Sequence, residues 1–92
     1  MRYEWDSAKD AENRRKHGFG LEDGIPVLED WRSVSRIDDR FDYGEERDMT
    51  IGWFHREFLF VVSTIIHDDL TRIISVRKAV QHEEYWFYHD RT

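Results

Sequence analysis

The chain has 92 residues, enough for one small domain and too few for two. Its 39% hydrophobic and 15% aromatic content supports only a modest core, so a partner chain would add to its stability. The absence of cysteine excludes a disulfide framework, a thiolate nucleophile and a thiolate metal site, and the net charge of −6 speaks against broad nucleic-acid binding.

Arg2 to Trp5 reads as a short extended edge strand. Asp6 or Ser7 can cap the helix that follows, with Asp10 placed to complete a capping box. That helix runs to His17, where Gly18 supplies a stop. Lys9, Asn13 and Lys16 share one of its faces. Phe19 to Glu29 keeps helical spacing at Leu21, Ile25 and Leu28, but Gly24 and Pro26 make it a short, distorted helix.

Trp31 to Asp38 is a weak strand, and Asp39 to Glu46 a charged connection. Asp48 to Phe54 alternates, as a half-buried strand does. Phe58 to Ile66 is apolar on both faces and reads as a central strand. It is about half as long as a membrane-spanning helix. With no apolar leader in Met1 to Asp6, a soluble, cytoplasmic protein without membrane attachment is expected. Thr71 to Arg77 is the last strand, and Ala79 to Asp90 a final aromatic-rich helix.

The order predicts one α+β domain over residues 1–92. It is a two-layer sandwich with an antiparallel four-stranded meander, a short N-terminal edge strand, and helices on one face. Charge is uneven along it. Residues 19–50 hold four Arg and ten Asp/Glu, a local −6, whereas the first 18 residues come to +1. The acidic centre is either a solvated loop or a docking surface for a basic partner.

Three stretches together resemble one family. Trp5-Asp6-Ser7-Ala8-Lys9 continuing to Asn13-Arg14-Arg15-Lys16-His17-Gly18 is similar to the W-D-x-x-K-x-x-x-N-x-x-K-H-G opening of BrnT-like toxins. Glu46-Arg47-Asp48-Met49-Thr50-Ile51-Gly52 matches their E-R-x-x-x-I-G. Arg72 to Ala79, followed by Glu83, looks like R-I-I-S-A-R-x-A and a helix carrying E. The resemblance implies a RelE-type fold and a ribonuclease toxin that needs no metal or other cofactor. It also implies a ribbon-helix-helix antitoxin, a two-toxin, two-antitoxin assembly, and contact with operator DNA only through that antitoxin.

Metal-independent cleavage of RNA needs a base for the ribose 2′-OH, cations for the phosphorane, and an acid for the leaving 5′-oxygen. The resemblance places His17, Glu46, Arg47 and Arg77 in the catalytic set, and Lys9, Arg72 and Glu83 in substrate binding. The residues themselves leave alternatives. Imidazoles titrate near neutrality, yet one in a last helical turn also satisfies orphan carbonyls, so both roles stand for His17. Lys9 fits a solvated face as well as a phosphate contact, and Glu46 and Arg47 fit local ion pairs. Glu83 suits a first helical turn in any case.

In a regular strand Arg72 and Arg77, five apart, point to opposite faces. Arg72 then shares the core face with Ile74 and Val76, as a rim residue or an ion-pair partner of Asp68 or Asp69. Arg77 shares an open face with Ser75 and is the best single candidate for phosphate contact. The last helix departs from the family pattern by extra acid and by Phe87 where a tyrosine is expected, with Tyr85 and Tyr88 as possible substitutes. A metal site at His82 and His89 lacks further ligands at helical spacing. Two rival readings remain: a protein-binding module whose catalysis has decayed, and a relative of the toxins of this fold that act on DNA gyrase.

Overall fold

The computed structural model describes residues 1–90. It is mixed α+β, with strands β1 (Arg2–Glu4), β2 (Val34–Ile37), β3 (Asp48–Phe54), β4 (Glu57–His67) and β5 (Leu70–Lys78), and helices α1 (Ser7–His17), α2 (Gly24–Glu29) and α3 (Gln81–His89). The sheet order is β1-β5-β4-β3-β2. Strands β2 to β5 form the antiparallel meander. The N-terminal strand is a fifth member, paired in parallel with β5 from Arg2↔Leu70 to Glu4↔Arg72.

Local chemistry sets the boundaries. Asp6, not Ser7, caps α1, its carboxylate accepting from the Ala8 and Lys9 N–H groups at 2.8 and 3.3 Å. Asp10 does not return a capping-box bond; it accepts from the Leu21 N–H at 2.7 Å and ties the loop after α1 to the helix. Gly18 takes φ +80°, the left-handed conformation that lets its N–H close on the Arg14 carbonyl. The distorted segment resolves into a 3-10 turn over Leu21–Asp23 and then α2. Gly24 opens α2 where a Cβ would lie only 3.0 Å from Val61 and 3.1 Å from Val76, so a hydrogen there lets the helix approach the sheet.

One expectation is overturned: the helices cover both faces. The turn at Leu21, with α2, packs on Leu59, Val61, Ile73 and Val76, while Phe87 of α3 packs on the other side with Met49, Ile51, Phe58, Phe60 and Val62. The cause lies in β4, whose alternate residues are apolar and buried on both sides. A strand like that needs two covers.

A second expectation fails for a related reason. Strand β5 is not regular, because Val62 pairs with Ser75 while the next residue, Ser63, pairs with Ile73. The extra residue is a β-bulge, which resets the alternation. Ile73 and Val76 therefore both face the α2 side, and Arg72 and Arg77, each one residue away, both point to the α3 side. The geometry predicted for a regular strand does not hold here.

Candidate functional site

β1 pairs with β5 only as far as Arg72, so the outer edge of β5 beyond it lacks a strand partner. Asn13 of α1 closes part of that edge. Its side-chain amide donates to the Val76 carbonyl at 2.7 Å and to the Phe19 carbonyl at 2.8 Å, and accepts from the Val76 N–H at 3.1 Å. One primary amide thus stands in for the peptide group of a missing strand, and Asn13 is buried as a result. Helical spacing put it on one face with Lys9 and Lys16, without marking it as buried. The signal that could have found it was an asparagine mid-helix, where its propensity is poor.

Around this clip α1 and β5 leave two adjoining grooves. One, of about 230 Å³, is lined by Lys9, Asn13, Lys16, His17, Ile74 and Ser75, among others. The second, about 260 Å³, lies between Glu4, Trp5, Asp6, Lys9, Arg72 and Ile74. Lys9 and Ile74 border both. Of the predicted residues, the structure therefore brings Lys9, His17 and Arg72 together. Lys9 and His17 are exposed and carry neither ion pair nor side-chain hydrogen bond among the described residues, whereas Lys16 pairs with Glu12 at 2.8 Å. Arg72 does not reach Asp68 or Asp69; it pairs across the β1–β5 register with Glu4 at 2.7 Å, and Asp69 is taken by Arg2.

Of the remaining predicted residues, Arg77 and Glu83 lie on the α3 face, to which Arg72 also points. Arg77 grips Glu83 through two bonds, 2.9 and 2.7 Å, and lies over the Phe60 ring at 4.1 Å. Glu83 is 3% exposed and also accepts from the Val80 N–H at 2.9 Å, capping α3. This fork joins the end of β5 to the start of α3. It corrects the reading of Arg77 as a residue on an open polar face, and assigns Glu83 a structural task.

Arg47 lies over Tyr43 at 4.0 Å and pairs with Glu45 at 3.1 Å. Glu46 is exposed, and its backbone carbonyl accepts from the Thr64 hydroxyl at 2.7 Å. Thr64 is the cross-strand partner of Arg72, so Glu46 stands at the same end of the sheet as that arginine.

A network missed by sequence reasoning anchors the charged connection on this face. The Asp38 side chain is fully buried and accepts two bonds from Arg40, both 2.8 Å, and one from the Tyr43 hydroxyl at 3.1 Å. The Arg40 fork, ahead of the Tyr43 and backbone bonds, holds the Asp38 carboxyl down at about 2 despite its burial.

On α3, Phe87 is core, 4.8 Å from Phe58, while Tyr85 and Tyr88 are exposed. Tyr85 stacks on His89 and His82 meets Trp86 edge-on, so these aromatics pair along the helix. No cluster of metal-ligating side chains occurs among the described residues. Nor is any helix there long and apolar enough to cross a membrane.

Comparison with known proteins comes to a single answer. Residues 5–83 match the family described as "Ribonuclease toxin, BrnT, of type II toxin-antitoxin system". The crystal structure of the Brucella abortus ribonuclease toxin BrnT matches with a TM-score of 0.65 at 25% sequence identity, covering 88% of this chain and 99% of that one. A search of curated proteins finds no match.

Proposed function

The chain belongs to the BrnT family of ribonuclease toxins of type II toxin–antitoxin systems, and from that premise we propose that it cleaves RNA along the open edge of β5. The observation that carries this reading is the position of Lys9. It borders both grooves, with His17 in one and Arg72 in the other, so an imidazole and two cations line one continuous path.

A phosphodiester lying across that path meets Lys9 and Arg72 through its non-bridging oxygens. Arg72 suits the developing dianion because its planar fork can donate two hydrogen bonds. His17 exchanges the proton of the attacking 2′-oxygen. Glu46, at the Arg72 end of the sheet, is the second proton-transfer group. Arg77 and Glu83 act by holding β5 against α3, and Arg47 by shaping the end at Tyr43. The proposal assigns each of these roles to a side chain, as metal-independent cleavage would require.

In this reading the chain is a RelE-type toxin that acts on cytoplasmic RNA to stop translation. A small ribbon-helix-helix antitoxin is the expected neutralising partner, in a two-toxin, two-antitoxin assembly that reaches operator DNA through the antitoxin. A rival reading, a catalytically decayed partner of that antitoxin, draws on one observation: Arg40, Arg47, Arg72 and Arg77 are each already paired with a carboxylate.

Induced expression without antitoxin decides between them. Wild type is expected to arrest growth and fragment total RNA, and His17→Ala and Lys9→Ala, at equal soluble level, to do neither. Well-folded wild type that leaves RNA intact would hand the case to the binding module. Arg77→Ala is a poor probe here, because it strands the buried Glu83 carboxylate.

A further inference from the structure

The sheet face on the α2 side carries a cavity unrelated to the β5 edge. It measures about 130 Å³ and lies at the end of the sheet where β3 begins, walled by Met1, Tyr3, Leu28 and Ile65, with Ser35, Asp48, Thr50, Ser63 and Thr71 on its floor. Register explains the set. Ser35 pairs with Thr50, Asp48 with Ser63, and Thr71 with Ile65, so residues of four neighbouring strands bring polar groups to one patch.

Asp48 is the anomaly in that patch. Most carboxylates of this chain have a cation or a capping N–H as partner. Asp48 is half-buried and has no ion pair and no side-chain hydrogen bond among the described residues. Burial, with the charge of nearby Glu46 adding to it, raises the proton affinity of its carboxyl above the ordinary aspartate value. An unpaired, desolvated charge at the floor of a cavity is costly unless something completes it.

The surroundings define what would. Thr71 donates its proton to the Met1 sulfur at 3.7 Å, so its oxygen remains available as an acceptor. The Ser35 and Thr50 hydroxyls share one hydrogen bond at 2.8 Å. What is left is one carboxylate, the only acceptor-only group of the lining, beside the hydroxyls of Thr71 and Ser63. Met1 and Ile65, 71% and 65% exposed, form an apolar rim above it. An apolar collar over an anionic floor fits a methylene stem ending in a compact ammonium with three donors. RNA does not suit this cavity by sign, since a phosphodiester entering it would meet the Asp48 carboxylate, the one charged side chain of its lining.

We propose that this cavity receives a lysine side chain of the antitoxin, with its ammonium on the Asp48 carboxylate and its methylenes between Met1 and Ile65. The proposal rests on the toxin–antitoxin reading above. It puts the contact on the sheet face opposite Arg77 and α3, away from the β5 edge assigned to RNA.

The test uses the purified full chain and the antitoxin encoded by the neighbouring reading frame. Asp48→Asn keeps shape and folding and is expected to weaken the complex roughly 30-fold or more by calorimetry, as loss of one partner of a desolvated pair does. Asp39→Asn removes the same charge from the same acidic segment outside the cavity and is expected to leave affinity unchanged. A scan of antitoxin lysines to methionine should give one variant whose loss is not additive with Asp48→Asn. Unchanged affinity of Asp48→Asn overturns the proposal, as does equal weakening by Asp39→Asn, the lack of any non-additive lysine, or no binding by wild type. RNA fragmentation by Asp48→Asn without antitoxin is expected to match wild type. That readout reports on the ribonuclease reading alone, so the two failures stay distinguishable.

Discussion

The two sides of β5 use the same kinds of residue to opposite ends. On the α3 face, cations are locked: Arg77 in the fork of Glu83, Arg40 in that of Asp38, Arg36 against Asp90 and over the Trp86 ring at 4.2 Å. In the groove against α1, Lys9 and His17 stand exposed beside Ser75 with their donors unspent. A charge gripped at two nitrogens by a buried carboxylate contributes to the fold and has little left to offer a substrate, whereas Arg72, 46% exposed, gives Glu4 only its Nε and keeps its outer nitrogens. A charge whose partner is water can exchange it for a phosphate at small cost. Residue type and motif membership do not separate these cases, since Arg77 and His17 sit in motifs of equal strength.

The comparison can be broken first at Arg77. Arg77→Ala leaves Glu83, 3% exposed, without its cation, and is expected to cost about 3 kcal/mol or more. In a domain this small that is a large share of the total. Chemical denaturation would register it, and restoration of stability by the second change Glu83→Gln would tie the loss to the stranded charge. A variant as stable as wild type would mean that the face is not locked as described.

The next effect is acid. Asp38 has its carboxyl depressed from 3.8 to about 2 by the Arg40 fork. A group depressed in the folded state contributes stability above its unfolded value and loses it as pH falls through the folded one. The loss therefore lies between about pH 4 and pH 2. It is expected to reach about 1–2 kcal/mol, less than the full shift implies because Arg40 is itself 42% exposed and screened. Melting curves of wild type and Asp38→Asn across that range would show it as a difference that vanishes at the acid end.

The smallest effect sharpens the other side. Gly18→Ala ends α1 with a side chain forced into the left-handed region, where no neighbouring atom would touch its Cβ. The cost is purely conformational, about 1 kcal/mol. Because His17 is the adjacent residue, RNA cleavage should fall more than so small a stability loss explains. Thermal melting set beside RNA fragmentation would separate the two effects.

Much of this could be read along the chain. The alternation of Met49, Ile51 and Trp53 marks β3, the apolar run after Glu57 marks β4, and Asp6 and Gly18 bound α1. These are local properties, set by side-chain periodicity and by the backbone groups that helix ends leave unsatisfied. Lys9, His17 and Arg72 were also legible as candidates, through motifs lying far apart in the sequence. Their meeting in one groove was not, because it depends on where β1 stops against β5.

The order of the elements, the small mixed α+β class and the family are all readable along the chain. Which charges are spent and which are free emerges only when the strands and helices pack. The bulge in β5 turned Arg72 and Arg77 to one face, the two-sided core drew α3 to the sheet opposite α2, and Asn13 became an edge clip instead of a surface residue. The reason is physical. Periodicity is counted along one strand or helix, whereas a bulge, an ion-pair partner and a buried amide are settled by neighbours from distant segments, chosen through packing and the need to satisfy every buried polar group.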